Sequence, residues 1–216
     1  MEPVQTPLTE ETLGVAVREL SARDPDLRRI VERFGPPPMW NRPPGFATLA
    51  HIVLEQQVSL ASAQAAFDRL GVAVGSLTPD RFLELDDPTL LAIGFSRRKS
   101  RYVRDLAQAV ASGALDLERL ATLADEDVRR ALVALTGIGP WTASIYLLMA
   151  LRRPDVWPAT DMALAAAVAE AKGLERRPNA DRMQALGEPW RPWRSVAARI
   201  FWHDYLTRLG RGTPPA

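Results

Sequence analysis

The chain has 216 residues, of which 47% are hydrophobic and 25% charged, a composition that excludes a largely disordered or fibrous protein. Its 27 lysines and arginines balance 26 aspartates and glutamates, so any strongly basic surface must be local. The absence of cysteine excludes disulfides, thiolate-bound metals and iron–sulfur clusters, and the 2 histidines are too few for a histidine-based metal site.

Helix signals recur along the chain. Side-chain acceptors precede helix-compatible prolines at Asp24-Pro25, Thr78-Pro79 and Asp87-Pro88, a pattern typical of helix starts. Leucine, alanine, valine and isoleucine recur at three- and four-residue spacing, whereas the alternation of a strand is scarce. We therefore predict an all-α fold of about ten short helices. A proline-rich connector over residues 36–44 predicts a boundary near residue 45.

Residues 131–151 carry no charge, and a run of this length could cross a bilayer. Two glycines and a proline within residues 136–140 divide the run into pieces that are each too short to span. We therefore expect two buried helices joined by a turn, and no membrane segment.

The turn inside this run is a candidate ligand site, because Gly137 and Gly139 lie directly before the second helix. Glycines let a backbone approach a ligand closely, and a helix start offers unpaired N–H groups and a positive dipole end, which together favour a phosphate. A tight turn between two helices, with no ligand, explains the same pattern equally well.

Asp161 heads the apolar stripe of another predicted helix. Leu164, Ala165 and Val168 follow it at helical spacing, so its carboxylate is expected to point inward or into a cleft. A buried carboxylate is costly unless it caps the helix or meets a cation. Helix capping is the usual role of an aspartate at such a place, although Thr160 could cap instead.

Residues 97–104 form a local cationic segment that contains arginines and a lysine but no acid. A solvated helix face is the ordinary account of such a run, but charges of a single sign also favour a polyanionic partner. Trp141 follows the glycine turn directly, so its ring is within reach of whatever the turn binds.

Taken together, these motifs resemble those of a helix-hairpin-helix DNA glycosylase of the 3-methyladenine DNA glycosylase II (AlkA-like) kind. The segments that carry the resemblance are Leu54–Ser59, Gly94–Tyr102, Leu135–Ala143, Asp161 and Pro192–Trp202. It implies two helical lobes with a DNA-binding cleft between them and no β-rich amino-terminal domain. Residues 1–45 would join the carboxyl-terminal lobe, residues 46–150 would form the central lobe that ends in the hairpin, and residues 151–216 would carry the catalytic aspartate.

The resemblance assigns Asp161 as the catalytic carboxylate and Gln57 as the candidate for the residue that enters the duplex. The implied base pocket consists of Trp141, Ile145, Met162 and Trp202. The implied phosphate-binding residues are Gly137, Gly139 and Thr142. The implied basic DNA surface consists of Arg97, Arg98, Lys99 and Arg101. A sodium or potassium ion is implied on the backbone carbonyls of Val133, Leu135 and Ile138.

The implied activity is monofunctional. Relatives with a lyase step carry a lysine at the position of Trp141, so no lyase step is expected here. The enzyme would hydrolyse the N-glycosidic bond of alkylated bases, such as 3-methyladenine and 7-methylguanine, that are flipped out of damaged double-stranded DNA during base excision repair. It would require no cofactor and would act as a monomer.

The amino-terminal residues lack the basic and apolar regions of a signal peptide, so we expect a cytoplasmic location, at the nucleoid of a bacterial-type cell when DNA is bound. Three alternatives to the alkylation-repair activity stay open. The chain could be a related glycosylase for a mismatch or an oxidised purine, a DNA-binding helical protein without catalysis, or a helical interaction module without nucleic acid.

Overall fold

The computed structural model describes residues 4–210, so the expected segments 1–45 and 151–216 are described except for residues 1–3 and 211–216. The described residues are helical, with turns between the helices, and no β-strand is present among them. The all-α prediction is confirmed. No helix within the described part of the chain is long and apolar enough to cross a membrane.

Thirteen α-helices follow one another along the described chain. They are α1 (Glu10–Arg23), α2 (Pro25–Phe34), α3 (Phe46–Glu55), α4 (Leu60–Val74), α5 (Pro79–Leu83), α6 (Asp87–Ile93), α7 (Arg97–Ala111), α8 (Leu117–Leu120), α9 (Asp125–Val133), α10 (Pro140–Ile145), α11 (Met162–Ala171), α12 (Ala180–Gly187) and α13 (Arg194–Arg208). A π-helical turn, Tyr146–Ala150, extends α10, and a 3₁₀ turn, Glu188–Trp190, extends α12.

The predicted helix starts are largely those of the structure. Asp24 and Thr78 cap α2 and α5 with their side chains, and a proline occupies the first position of each helix. The third prediction is wrong by one residue, because Asp86, and not Asp87, caps α6 through a bond from the amide of Thr89. The proline therefore lies at the second helical position, where it also removes no internal hydrogen bond.

The chain forms two compact units, divided after Asn41 and after Tyr146. Residues 42–146 make the first unit, and Gln5–Asn41 with residues 147–210 make the second. The sequence placed the corresponding boundaries near residues 45 and 150.

The first unit is built around α3, which packs against α4, α7 and α10. Nearly every residue of α3 is buried, as expected for a helix that is apolar on all sides and lies in the core. Its last residue, Glu55, is also buried and accepts two hydrogen bonds from the guanidinium of Arg42, at 2.6 and 3.0 Å. This ion pair neutralises the one carboxylate at the inner end of α3.

The second unit is built around α13, which packs against α1, α2 and α11. Arg199 lies at its centre with no solvent exposure and donates to the backbone carbonyls of Met39, Leu148 and Ser195. Burial lowers the pKa of Arg199 to about 9. Its guanidinium thus ties the connector after α2 and the π-helical turn to α13, because these carbonyls satisfy the buried donors.

Residues 131–151, the uncharged run, end α9 and form the turn, α10 and the π-helical turn. The residues from Thr142 to Leu151 are buried without interruption. The prediction that this run is core is confirmed for residues 142–151, whereas Val133, Ala134, Thr136 and Pro140 are exposed.

Candidate functional site

The glycine turn joins α9 to α10 in the first unit. Gly139 is the N-cap residue of α10, and the amide of Ile138 donates to the carbonyl of Leu135 at 3.1 Å. Within residues 4–210, the amides of Gly137 and Gly139 donate to no acceptor. Two such amides beside a helix start can bind an anion, as the sequence predicts for a phosphate.

The two glycines serve different purposes. Gly137 has a φ of +83°, and a Cβ atom added to it would lie 2.0 Å from the ring of Tyr102. Gly139 has a φ of −96°, and nothing lies within 4 Å of an added Cβ. Gly137 is therefore required by the fold, because the tyrosine ring packs directly on its backbone. Only Gly139 keeps the space in front of the turn open for a ligand.

The turn is held from α3. The side-chain amide of Gln56, directly after α3, donates to the carbonyl of Gly137 at 2.9 Å and to the hydroxyl of Thr142 at 3.0 Å. Thr142 is 1% exposed, so its side chain faces the core. The sequence placed Thr142 among the phosphate-binding residues, and its burial restricts that role to the backbone amide in the first turn of α10.

The basic segment forms the start of α7. Arg97, Arg98 and Arg101 are exposed. Cations in the first turn of a helix are disfavoured by its dipole, so their clustering here indicates a surface for anions. Lys99 corrects the predicted surface, since it is 8% exposed and its ammonium donates to the carbonyl of Leu54 at the end of α3. Burial, with help from the charge of Arg98, lowers the pKa of Lys99.

Gln57 lies in the exposed turn between α3 and α4. Its φ of +58° is in the left-handed region, where residues other than glycine are uncommon, and its side-chain oxygen accepts a bond from Arg98 at 3.1 Å. The next residues, Val58 and Leu60, are 47% and 38% exposed. The strained backbone thus presents a polar residue and two apolar ones at the surface of the first unit.

Asp161 is the N-cap residue of α11 in the second unit. Its Oδ1 accepts the amide of Leu164 at 2.6 Å and the indole N–H of Trp202 at 3.4 Å. The side chain is buried, at 8% exposure, whereas Met162 beside it is 70% exposed. The carboxylate therefore points inward, as predicted from the helical wheel, and the helix it caps begins at the protein surface. Capping, the simpler of the two expected roles, is confirmed.

A buried tryptophan anchors the segment that leads to Asp161. Trp157 donates its indole N–H to the carbonyl of Met183 at 2.8 Å, and its ring packs on that of Trp190 at 5.0 Å. Gly187 makes room for the ring, since an added Cβ would lie 2.8 Å from it. A turn closed by the bond from the amide of Asp161 to the carbonyl of Pro158 then aims the carboxylate.

The residues predicted for the base pocket lie in both units. Asp161 and Trp202 are brought together in the second unit, where Trp202 is 7% exposed and Met162 is exposed. Trp141 and Ile145 belong to α10 in the first unit, where Trp141 is half-buried and Ile145 is 3% exposed.

Gln56, Tyr102 and Trp157 help to position the site, and none of them was predicted from the sequence. Gln56 lies within the Leu54–Ser59 motif, but its partners are 81 and 86 residues further along the chain. No local signal shows such a contact. A left-handed glycine indicates a special backbone, yet it does not show which ring packs on it.

Comparisons with known proteins identify the family. The family described as HhH-GPD superfamily base excision DNA repair protein matches residues 50–192. This match covers the hairpin, Asp161 and the segment that anchors it. The chain belongs to this superfamily.

Two similar proteins of Bacillus subtilis support the same family assignment. YfjP of Bacillus subtilis, a candidate DNA-3-methyladenine glycosylase, is 33% identical over 160 residues, which are 70% of this chain and 56% of that protein. A second Bacillus subtilis protein, a DNA-3-methyladenine glycosylase, is 29% identical over 196 residues, which are 85% of this chain and 65% of that protein. The chain thus spans less than two thirds of the length of either relative.

Solved structures share the fold over nearly the whole chain. The 3-methyladenine DNA glycosylase of Schizosaccharomyces pombe, in complex with abasic DNA, superposes with a TM-score of 0.80 at 27% identity, over 92% of this chain and 98% of that one. A DNA-3-methyladenine glycosidase of Bacillus halodurans gives a TM-score of 0.73 at 28% identity, over 90% and 91% of the two chains.

Proposed function

We propose that this chain is a monofunctional DNA glycosylase of base excision repair that releases alkylated bases, of the 3-methyladenine and 7-methylguanine type, from double-stranded DNA. The observation that carries the proposal is the buried carboxylate of Asp161 at a helix start on the surface, in a chain of the HhH-GPD superfamily. The names of relatives and structural neighbours support the class of substrate.

The chemistry needs a negative charge more than a covalent partner. An alkylated purine carries a positive charge and is a good leaving group, and the sugar becomes oxocarbenium-like as the N-glycosidic bond breaks. The carboxylate of Asp161 would stabilise that cation and orient the attacking water. The donors from Leu164 and Trp202 would hold the carboxylate in one geometry throughout the reaction.

The hairpin would bind the DNA backbone. The amides of Gly137, Gly139 and Thr142 would donate to one phosphate, and Arg97, Arg98 and Arg101 would contact others. These contacts carry no sequence information, as suits an enzyme that must find damage anywhere. Gln57, at the strained turn after α3, is the proposed residue for the gap left by the flipped base.

The damaged base would leave the duplex at a cost of a few kcal/mol, which is least where pairing is already weak. The thioether of Met162 and the ring of Trp202, which both lie beside Asp161 in the second unit, would receive it. A cationic base gains about 0.5 to 2 kcal/mol over an electron-rich ring, which favours alkylated purines over normal ones.

A sodium or potassium ion at the hairpin belongs to the same proposal. At the end of α9, no hydrogen bond within the described residues reaches the carbonyl of Val133, and the carbonyl of Leu135 accepts one bond, from Ile138, and keeps a second lone pair. Together with the carbonyl of Ile138, these oxygens are the type of ligand that a hard cation prefers. Such an ion would add positive charge beside the phosphate. Among the described residues, no cluster of acids and histidines forms another metal site.

The decisive experiment compares Asp161→Asn with the wild type on methylated duplex DNA. Asparagine caps a helix as well as aspartate, so folding should be kept while the charge is lost. Release of free methylpurine should fall by about two orders of magnitude or more, with duplex affinity unchanged. Asp116→Asn, at the exposed cap of α8, makes the same change away from the site and should leave release unchanged.

A DNA-binding protein without catalysis is the second candidate, because Asp161 does cap its helix. It predicts DNA binding with no release of any base by the wild type. The DNA backbone provides a further readout, since release of the base with an intact strand before alkali treatment indicates the absence of a lyase step. We propose that the enzyme is a monomer and acts in the cytoplasm. Sedimentation with and without DNA measures the oligomeric state.

A further inference from the structure

One side chain holds both sides of the hairpin. Gln56 has a single side-chain NH₂ group with two hydrogens, and both are used, for the carbonyl of Gly137 and for the hydroxyl of Thr142. These two acceptors lie on either side of Gly139 along the chain. One of them belongs to the turn, and the other to the first turn of α10.

Gln56 is itself fixed by the end of α3. Its backbone amide donates to the carbonyl of Val53 at 3.3 Å, and the next carbonyl along, that of Leu54, accepts a bond from the ammonium of Lys99. Glu55 is locked by its ion pair with Arg42. The side chain of Gln56 therefore extends from a rigid platform to the hairpin, which has few other bonds of its own.

We propose that Gln56 is a positioning residue that holds the hairpin in its DNA-binding conformation, an inference that rests on the proposed function. Fixing the carbonyl of Gly137 fixes the peptide plane between Gly137 and Ile138. Fixing the hydroxyl of Thr142 fixes the start of α10. The amides between these two anchor points then keep one orientation before DNA arrives, which lowers the entropy lost on binding.

The substitution Gln56→Glu tests the donors without changing the shape of the side chain. At about pH 8 the carboxylate has no hydrogen to donate and repels the carbonyl of Gly137, so affinity for undamaged duplex should fall about tenfold. Partial burial and repulsion by the carbonyl of Gly137 should raise the pKa of the new carboxyl above its usual value of about 4.3. At about pH 5 a larger protonated fraction therefore regains one O–H donor, and the difference from wild type, measured at the same pH, should narrow. Gln56→Met, which cannot donate at any pH, should show the same loss at both.

Three controls make the test specific. Gln108→Glu adds the same charge at an exposed position of α7 and should leave affinity unchanged. Base release at saturating DNA should also be unchanged in the Gln56 variants, because the residue would act on binding and not on the chemical step. Should the Gln56 variants not fold, Thr142→Val and Thr142→Ser provide the second test, since only serine keeps the hydroxyl that Gln56 binds.

The inference is overturned if Gln56→Glu binds DNA as the wild type does, or if its loss is equal at both pH values. It is also overturned if Thr142→Val and Thr142→Ser bind equally well. These results are distinct from a failure of the proposed function, in which the wild type itself would not bind DNA or would release no base.

Discussion

The indole N–H of Trp202 and the backbone amide of Leu164 converge on a single oxygen, Oδ1 of Asp161, at 3.4 and 2.6 Å. Trp202 lies in α13, the central helix of its unit, and is 7% exposed. The carboxylate is thus held from its own helix and from a second helix. This gives Trp202 a role through Asp161, in addition to the place in the base pocket that the family resemblance implies.

Trp202→Phe separates these two roles, because phenylalanine keeps an aromatic ring and loses the N–H. The bond is long at 3.4 Å and therefore weak, so we expect base release to fall less than about tenfold. Trp202→Ala removes ring and donor together and should cost more, with stability lost as well. Single-turnover release and thermal melting measure the two effects. Equal release by the phenylalanine variant and the wild type would show that the N–H is dispensable.

The hairpin glycines should respond differently to alanine. Gly139→Ala has room for the methyl group, so the protein should keep its melting temperature while duplex affinity falls, since the methyl group occupies the space proposed for a phosphate. Gly137→Ala places its Cβ against the ring of Tyr102 at a positive φ and should destabilise the protein by more than about 1 kcal/mol. The pair Gly137→Ala and Tyr102→Ala should recover part of this loss. A Gly139→Ala protein with wild-type affinity at every salt concentration would argue against phosphate binding at the turn.

The exposed arginines of α7 should contribute to the salt dependence of DNA binding, and the buried lysine should not. Arg97→Gln and Arg101→Gln should each reduce the slope of log affinity against log salt by about 0.9, which corresponds to one phosphate contact. Lys99→Gln should leave the slope unchanged and lower stability, since Lys99 holds the carbonyl of Leu54. Arg119→Gln, on exposed α8, is the matched control. If Lys99→Gln reduced the slope of log affinity against log salt, Lys99 would contact DNA after all.

Local patterns were sufficient for the parts of the fold that depend on neighbouring residues. Caps and prolines predicted the starts of α2 and α5, and helical spacing placed the side chain of Asp161 inside the protein. The same logic could not separate Asp86 from Asp87, because both carboxylates precede the proline and either could accept an amide bond. Boundaries of one residue depend on backbone geometry that sequence spacing does not resolve.

Contacts between distant segments were outside the reach of the sequence. The interpretation of Gly137 as room for a ligand was incomplete, because only the structure shows the ring of Tyr102 packed on it. The assignment of Lys99 to a surface failed for the same reason, since its four neighbouring charges say nothing about the carbonyl beneath it. Charge runs predict where cations lie along the chain, and tertiary packing decides which of them reach solvent.

His51 should make the stability of the first unit depend on pH. It stacks on Phe67 at 4.2 Å within α3 and α4, and burial lowers its pKa; the charge of Arg42 adds to this, while Glu55 and Asp68 oppose it. The histidine of the unfolded chain, with a pKa near 6.5, therefore takes up the proton first as the pH falls.

The free energy of unfolding should be highest above about pH 6.5 and decline below it, by about 1.4 kcal/mol for each unit of the pKa difference between the folded and the unfolded chain. His51→Phe keeps the stacked ring and removes the titration, so its unfolding free energy in denaturant should decline less between about pH 7 and pH 5. His203→Gln shows whether any remaining pH dependence of the unfolding free energy comes from the other histidine. If the unfolding free energy of His51→Phe depends on pH as strongly as that of the wild type, His51 is not the source.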